Sequence, residues 1–175
     1  HPPMDLNSVD IRRAQQFQAD EGYLKDRVSE SLGLLYAMHW PFRQYESARG
    51  VRVSPLHERI DAAGGVFGET AGWERPNWFA IEGQAREYEY SYGKQNWQDN
   101  MVAECMGVRE AVGVFDQTSF AKFVVKGPDA LEVLNTISVA NIDAPIGKAI
   151  YTQWCNRKGG IESDLTVTRT DDDAF

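Results

Sequence analysis

Apolar residues recur at helical spacing early in the chain. Leu24, Val28, Leu32 and Leu35 follow one another at intervals of four, four and three, which stacks them on one helix face. The helix they predict fills the first segment to about residue 40, and Pro41 closes it, because proline disfavours helical backbone in the residue before it. Ser54-Pro55 announces a second helix, an N-cap residue followed by a ring that pre-sets the first helical φ. That helix carries Leu56 and Ile60 and is stopped by Gly64-Gly65.

Residues 66 to 97 lose this periodicity. Trp73, Trp78 and Trp97 sit among Phe67, Phe79, Tyr88, Tyr90 and Tyr92, with glycines and a proline interspersed. The expectation is irregular, aromatic-packed structure with a domain junction near residues 80 to 86, which divides the chain into 1–82 and 83–175. The aromatic stretch 67 to 79 is read as a wedge between domains rather than a ligand platform, since Trp and Tyr bury large areas while a polar tip hydrogen-bonds.

Regular pattern returns after residue 98. Val102, Cys105, Val108 and Val112 predict a helix over about 99–112, and Phe123 and Val125 alternate with Lys122 and Lys126 in a strand-like run from Phe120. Gly127-Pro128-Asp129 opens a helix through Leu131, Leu134 and Ile137. A strand from Ala149 to Cys155 then turns at Asn156-Arg157-Lys158-Gly159-Gly160 into a second strand, Ile161 to Arg169. The succession of helices, strands and a hairpin predicts an α+β fold.

Composition narrows the function. The 175 residues are 42% hydrophobic and 11% aromatic, enough for one ordinary domain or a small domain with part of another. The net charge is -8 and no Lys/Arg cluster stands out, so a nucleic-acid backbone or an anionic membrane is a poor partner. No apolar run approaches the ~20 residues that span a bilayer. Cys105 and Cys155 make neither a disulfide framework nor a metal quartet, and they read as reduced thiols. His57-Glu58 lacks the second histidine of a zinc helix, and no Ser/His/Asp order accompanies a nucleophile elbow. The chain opens on His1-Pro2-Pro3 without an initiator Met and stops at Asp173-Ala174-Phe175 directly after a predicted strand, so an interior piece of a longer protein is expected.

Candidate chemistry gathers on the final hairpin. Alternation sets Ile161, Ser163, Leu165 and Val167 on one face and Glu162, Asp164, Thr166 and Thr168 on the other. An aspartate is disfavoured inside a strand, so Asp164 marks either an exposed edge or a carboxylate held on a rigid element for hydrogen bonding or proton transfer.

Motifs along the whole chain resemble one family. Leu32-Gly-Leu-Leu-Tyr-Ala-Met-His-Trp-Pro-Phe-Arg-Gln44, Ser54-Pro-Leu-His-Glu-Arg59 and Phe67-Gly-Glu-Thr-Ala-Gly-Trp-Glu-Arg-Pro-Asn-Trp-Phe79 resemble the central segment of the dimethylglycine/sarcosine dehydrogenase family. Arg109 to Phe123, Gly127-Pro-Asp-Ala130, Tyr151-Thr-Gln-Trp-Cys-Asn156 and Gly159-Gly-Ile-Glu-Ser-Asp-Leu-Thr-Val167 are similar to the start of its aminomethyltransferase-like domain. The resemblance implies that 1–82 is a helical and irregular region from the end of the FAD oxidoreductase part and its central linker. It makes 83–175 the first part of a folate-binding domain.

The same resemblance implies an enzyme that oxidises a small N-methyl amine with FAD and passes the one-carbon unit to tetrahydrofolate. Asp164 is then the catalytic carboxylate, and Tyr151, Phe120 and Ser163 are folate-pocket candidates. Core packing is the competing reading of Tyr151 and Phe120. The glycine-cleavage aminomethyltransferases carry two adjacent aspartates where this chain has Ser163-Asp164. No G-x-G-x-x-G follows a strand, so FAD is expected to bind mainly outside these residues, and the rest of the polypeptide or partner chains would complete both pockets. The expected compartment is the bacterial cytoplasm or the mitochondrial matrix. A non-catalytic docking or folate-binding subunit of a multi-chain amine oxidase is the alternative; a dedicated aminomethyltransferase fits the oxidase-like first segment poorly.

Overall fold

The computed structural model describes residues 10–11, 14–37 and 43–175, and it mixes helix and strand. The chain folds as two compact units, His1–Phe120 and Ala121–Phe175.

In the first unit a 3-10 turn, Gln16–Ala19, precedes helix α1, Glu21–Gly33. The Asp20 carboxylate starts α1 by accepting the Tyr23 N–H at 2.9 Å, and Glu21 adds favourable charge in the first turn. The helix is therefore shorter than its sequence pattern predicts, and the Pro41 stop lies outside the described residues. Its orientation differs too. Leu24, Val28, Leu32 and Leu35 are all exposed, and the buried residue is Arg27. Polar groups hold this helix. Arg27 Nη1 donates to Glu69 at 2.6 Å and Nη2 to the Ser47 carbonyl at 2.9 Å, with the guanidinium 4.1 Å from the Tyr45 ring centre. Glu30 accepts the Glu46 and Ser47 N–H groups, both at 2.8 Å, and the Ser47 hydroxyl. Burial pulls the Glu30 carboxyl upward, but these hydrogen bonds outweigh it and leave the group below its usual range.

Helix α2, His57–Ala62, starts after Ser54, whose hydroxyl accepts the Leu56 N–H at 3.0 Å. It ends at Gly64, whose φ of +94° is open to glycine. Strands β1, Gly65–Thr70, and β2, Trp73–Phe79, then form an antiparallel hairpin where irregular structure was expected. Ala71 and Gly72 have φ of +50° and +80°, the two positive values of a tight hairpin turn. Val66 pairs with Trp78 and Phe67 with Pro76, so Asn77 is the extra residue of a bulge beside the proline. Glu74 on β2 is buried against Arg49, which donates Nε to Oε1 at 2.9 Å and Nη2 to Oε2, while the Gly50 N–H reaches Oε1 at 2.7 Å. Helix α3, Gln98–Glu110, ties down the end of β2 with polar groups. Asn100 donates to the Phe79 carbonyl at 2.7 Å and Glu104 accepts the Phe79 N–H at 2.9 Å.

The strand expected at Phe120 to Lys126 does not form. Val125 and Phe175 exchange backbone hydrogen bonds at 3.0 Å, but Phe123 is 82% exposed and residues 120–124 join no ladder among the described residues. Residue alternation sets a face; it cannot supply the neighbouring strand.

From Ala130 onward the second unit follows its sequence pattern closely. Helix α4, Ala130–Ile137, buries Ala130 and Leu134, and strands β3, Ala149–Cys155, and β4, Ile161–Thr168, form an antiparallel hairpin. Ala130, Leu134, Ile142, Val167 and Phe175 make the core, with Val125, Leu131, Ile150, Trp154 and Leu165 packed on it. Buried polar groups are paired: the Thr152 hydroxyl accepts the Ala140 N–H at 3.0 Å, and Trp154 Nε1 donates to Ser138 at 3.0 Å.

Candidate functional site

The β3–β4 hairpin is fixed at its tip by one side chain. Asn156 Oδ1 accepts the N–H groups of Lys158 at 2.9 Å and Gly160 at 3.0 Å, while Gly159 takes a φ of +79°. A register shift between Trp154 and Cys155 makes Glu162 the extra residue, after which pairing runs Trp154 with Ser163, Gln153 with Asp164, Thr152 with Leu165 and Tyr151 with Thr166. Ile150, Thr152 and Trp154 turn toward the core with Leu165 and Val167. Tyr151, Gln153, Asp164 and Thr166 therefore share the opposite, open face.

On that face Tyr151 reaches one step diagonally across the ladder, and its hydroxyl donates to Asp164 Oδ2 at 3.1 Å. Tyr151 is 61% exposed, and Asp164 is exposed as well. Asp164 Oδ1 has no protein donor among the described residues, so the carboxylate can accept a further hydrogen bond or a proton from a ligand nitrogen while the phenol holds its orientation. Sequence reasoning did not single out Gln153. Its direct pairing with Asp164 follows from the register, which the tip turn and bulge set together.

The other candidates lie elsewhere. Ser163 pairs with Trp154, and alternation points it away from the face that carries Asp164. Phe120 belongs to the first unit, where the Arg75 guanidinium sits 5.4 Å from its ring centre. Among the described residues no cluster of three His, Cys, Asp or Glu could hold a metal ion, and no helix is long and apolar enough to cross a membrane.

Residues 56–175 match the GCVT N-terminal domain, and residues 1–54 match the FAD dependent oxidoreductase central domain. The chain belongs to the GCVT N-terminal domain family, and its resemblance to the dimethylglycine and sarcosine dehydrogenases holds. It is 47% identical over 174 residues to a 4-methylaminobutanoate oxidase (formaldehyde-forming) of Paenarthrobacter nicotinovorans, covering 99% of this chain and 21% of that protein. It is 34% identical over 193 residues to the human mitochondrial sarcosine dehydrogenase, covering 96% of this chain and 21% of that protein. Thus the chain spans about a fifth of the length of these relatives. Among solved structures, the glycine cleavage system aminomethyltransferase T of Bartonella henselae aligns with a TM-score of 0.47 at 22% identity, over 72% of this chain and 30% of that one.

Proposed function

We propose that this chain forms one wall of a tetrahydrofolate site in an FAD-dependent oxidoreductase that demethylates a small N-methyl amine. The observation that carries the reading is the Tyr151–Asp164 pair, held on a stiff hairpin and turned outward within the residues that match the GCVT domain. An open carboxylate oxygen beside a phenol and the Gln153 amide suits a nitrogen-rich planar ligand. When bound, FAD would supply the oxidation and tetrahydrofolate the acceptor of the one-carbon unit, forming 5,10-methylene-tetrahydrofolate. Asp164 is the catalytic residue of this proposal, orienting the ligand nitrogen and accepting its proton at Oδ1. Tyr151 holds the carboxylate; Ser163 faces the other side of β4 and Phe120 belongs to the first unit, so neither carries a step of this proposal.

The names of the two relatives narrow the substrate. Sarcosine and 4-methylaminobutanoate are both N-methyl amines that carry a carboxylate, and this is the class we assign. The remaining walls of both cofactor sites would come from the rest of the polypeptide or from partner chains. The compartment is read as bacterial cytoplasm or mitochondrial matrix, in keeping with a bacterial and a mitochondrial relative.

The test uses the full-length protein with sarcosine and 4-methylaminobutanoate. Flavin reduction should follow addition of one of them, with formaldehyde released in the absence of tetrahydrofolate and replaced by methylene-tetrahydrofolate in its presence. Absence of flavin reduction with both amines would refute the oxidase reading, and a formaldehyde yield indifferent to tetrahydrofolate would refute the capture site.

A further inference from the structure

A short ladder in the second unit stops while one of its edges is still open. Val125 and Phe175 exchange both backbone hydrogen bonds at 3.0 Å. Lys126 forms an antiparallel bridge with Ala174, and the Gly127 N–H donates to the Asp173 carbonyl at 2.9 Å. The pairs 125 with 175, 126 with 174 and 127 with 173 therefore fix one antiparallel register, with Val125 and Phe175 as a hydrogen-bonded pair.

Before Val125 the ladder has no partner strand. Among the described residues Ala121, Phe123 and Val124 make no hydrogen bond, and Phe123 and Val124 are 82% and 81% exposed. Val125 packs on the core of the unit, so alternation assigns Ala121 and Phe123 to that same side. A phenylalanine on the core side, left open beside backbone groups that bond to nothing, marks a place where cover is missing. One neighbouring strand would meet both needs, its backbone pairing with these groups and its side chains covering the ring.

The register identifies that strand. Continued past Phe175, it sets the first following residue opposite Val124 in a non-hydrogen-bonded pair. The second falls opposite Phe123 in a hydrogen-bonded pair, and the fourth opposite Ala121. Directly opposite residues share a face, so the second lies on the core side with Phe123.

We propose that the segment directly following Phe175 in the full-length polypeptide continues this strand, pairs antiparallel with residues 121–124 and buries Phe123. The partner is the same chain because Phe175 already occupies the adjoining place in the ladder, and continuing from it needs no further turn. The chain spans about a fifth of the length of its relatives, which leaves ample polypeptide for the pairing. The inference stands apart from the Tyr151–Asp164 face and from the function assigned to it.

Cross-strand disulfides read the register. In full-length protein, Val124→Cys is combined with a cysteine at the first residue after Phe175. Opposite residues of a non-hydrogen-bonded pair have Cα atoms about 4.5 Å apart, within reach of a disulfide. Mild oxidation and peptide mass mapping should find an intrachain bond between the two. Moving the second cysteine one residue on turns it to the opposite face, and the bond should be lost. In the unsubstituted full-length protein the Phe123 amide should exchange at least about tenfold more slowly than in an unstructured peptide, whatever the protein concentration. A bond that forms equally well from both positions, a bond found only between two chains, protection lost on dilution, or exchange at the peptide rate would each overturn the proposal. The second and third of these would mean that another copy of the chain occupies the edge.

Discussion

Replacing Glu74 by Gln tests whether paired buried charge, rather than apolar contact, holds the first unit together. The Glu74 side chain is 5% exposed and accepts three N–H groups, two from Arg49 and one from Gly50. The glutamine keeps the shape but turns an NH2 toward a guanidinium that remains charged. Removing one partner of a fully buried pair costs about 3–5 kcal/mol. Arg49 keeps 28% exposure and can turn part of its charge to water, so the expected loss is about 2–3 kcal/mol. That corresponds to roughly 30- to 150-fold faster opening of the local structure. Hydrogen exchange at the amides of Arg52 and Glu74 reads it directly, because both bond across the segment that Glu74 anchors, to Gly72 and Arg52 carbonyls at 2.9 Å.

The pH dependence has a definite sign. Burial pulls the Glu74 carboxyl upward, but the Arg49 hydrogen bonds, the Gly50 N–H and the Arg49 charge outweigh it and hold the group below its usual range. The same pairing raises Arg49 further. Glu74 therefore stabilises the fold above the unfolded carboxylate value of about 4.3, and this is lost as pH falls through the lower folded value. Glu74→Gln should remove that part of the acid sensitivity. Replacing both partners, Arg49→Met with Glu74→Met, should recover most of the protection lost in the single variant. Less than threefold faster exchange in Glu74→Gln, or a double variant as loose as the single one, would refute the reasoning.

Other substitutions probe the turn, the core and the open face. Gly72→Ala should lower the unfolding free energy of the first unit by roughly 1–2 kcal/mol, read from its urea midpoint, since its φ is +80° and a Cβ would meet Phe17 Cζ at 2.7 Å; an unchanged midpoint would count against the turn geometry. Leu134→Ala should cost about 2–5 kcal/mol in denaturant unfolding of the second unit, because Leu134 is buried at the centre of its core. Tyr151→Phe keeps the ring and removes the donor to Asp164, so it should lower the share of one-carbon units captured by tetrahydrofolate while leaving flavin reduction unaltered, as measured by formaldehyde release.

The second unit was legible because its signals are local and agree with one another. Gly127-Pro128-Asp129 opens α4, Leu134 marks its buried face, and the Asn156-to-Gly160 turn joins two strands that alternate cleanly. The first unit was less legible for two physical reasons. Its hairpin turn places Ala71, not a glycine, at positive φ, and Pro76 with the Asn77 bulge interrupts the strand signature. The apolar stripe of α1 reads as a core face, whereas Arg27 and Glu30 make the attachments of that helix. The exception in the second unit is its start, where Phe123 and Val125 alternate with Lys122 and Lys126 as in a strand, yet among the described residues 121–124 join no ladder. At the candidate site, alternation put Asp164 on a face opposite Ser163, but the diagonal Tyr151 contact and the Gln153 neighbour required the register of the folded hairpin.

The central claim rests on Asp164, and the most direct measurement is the fate of the one-carbon unit in full-length Asp164→Asn. With amine and tetrahydrofolate both present, flavin reduction should proceed at the wild-type rate while formaldehyde appears in place of methylene-tetrahydrofolate. A yield of methylene-tetrahydrofolate equal to that of the wild type would contradict the assignment.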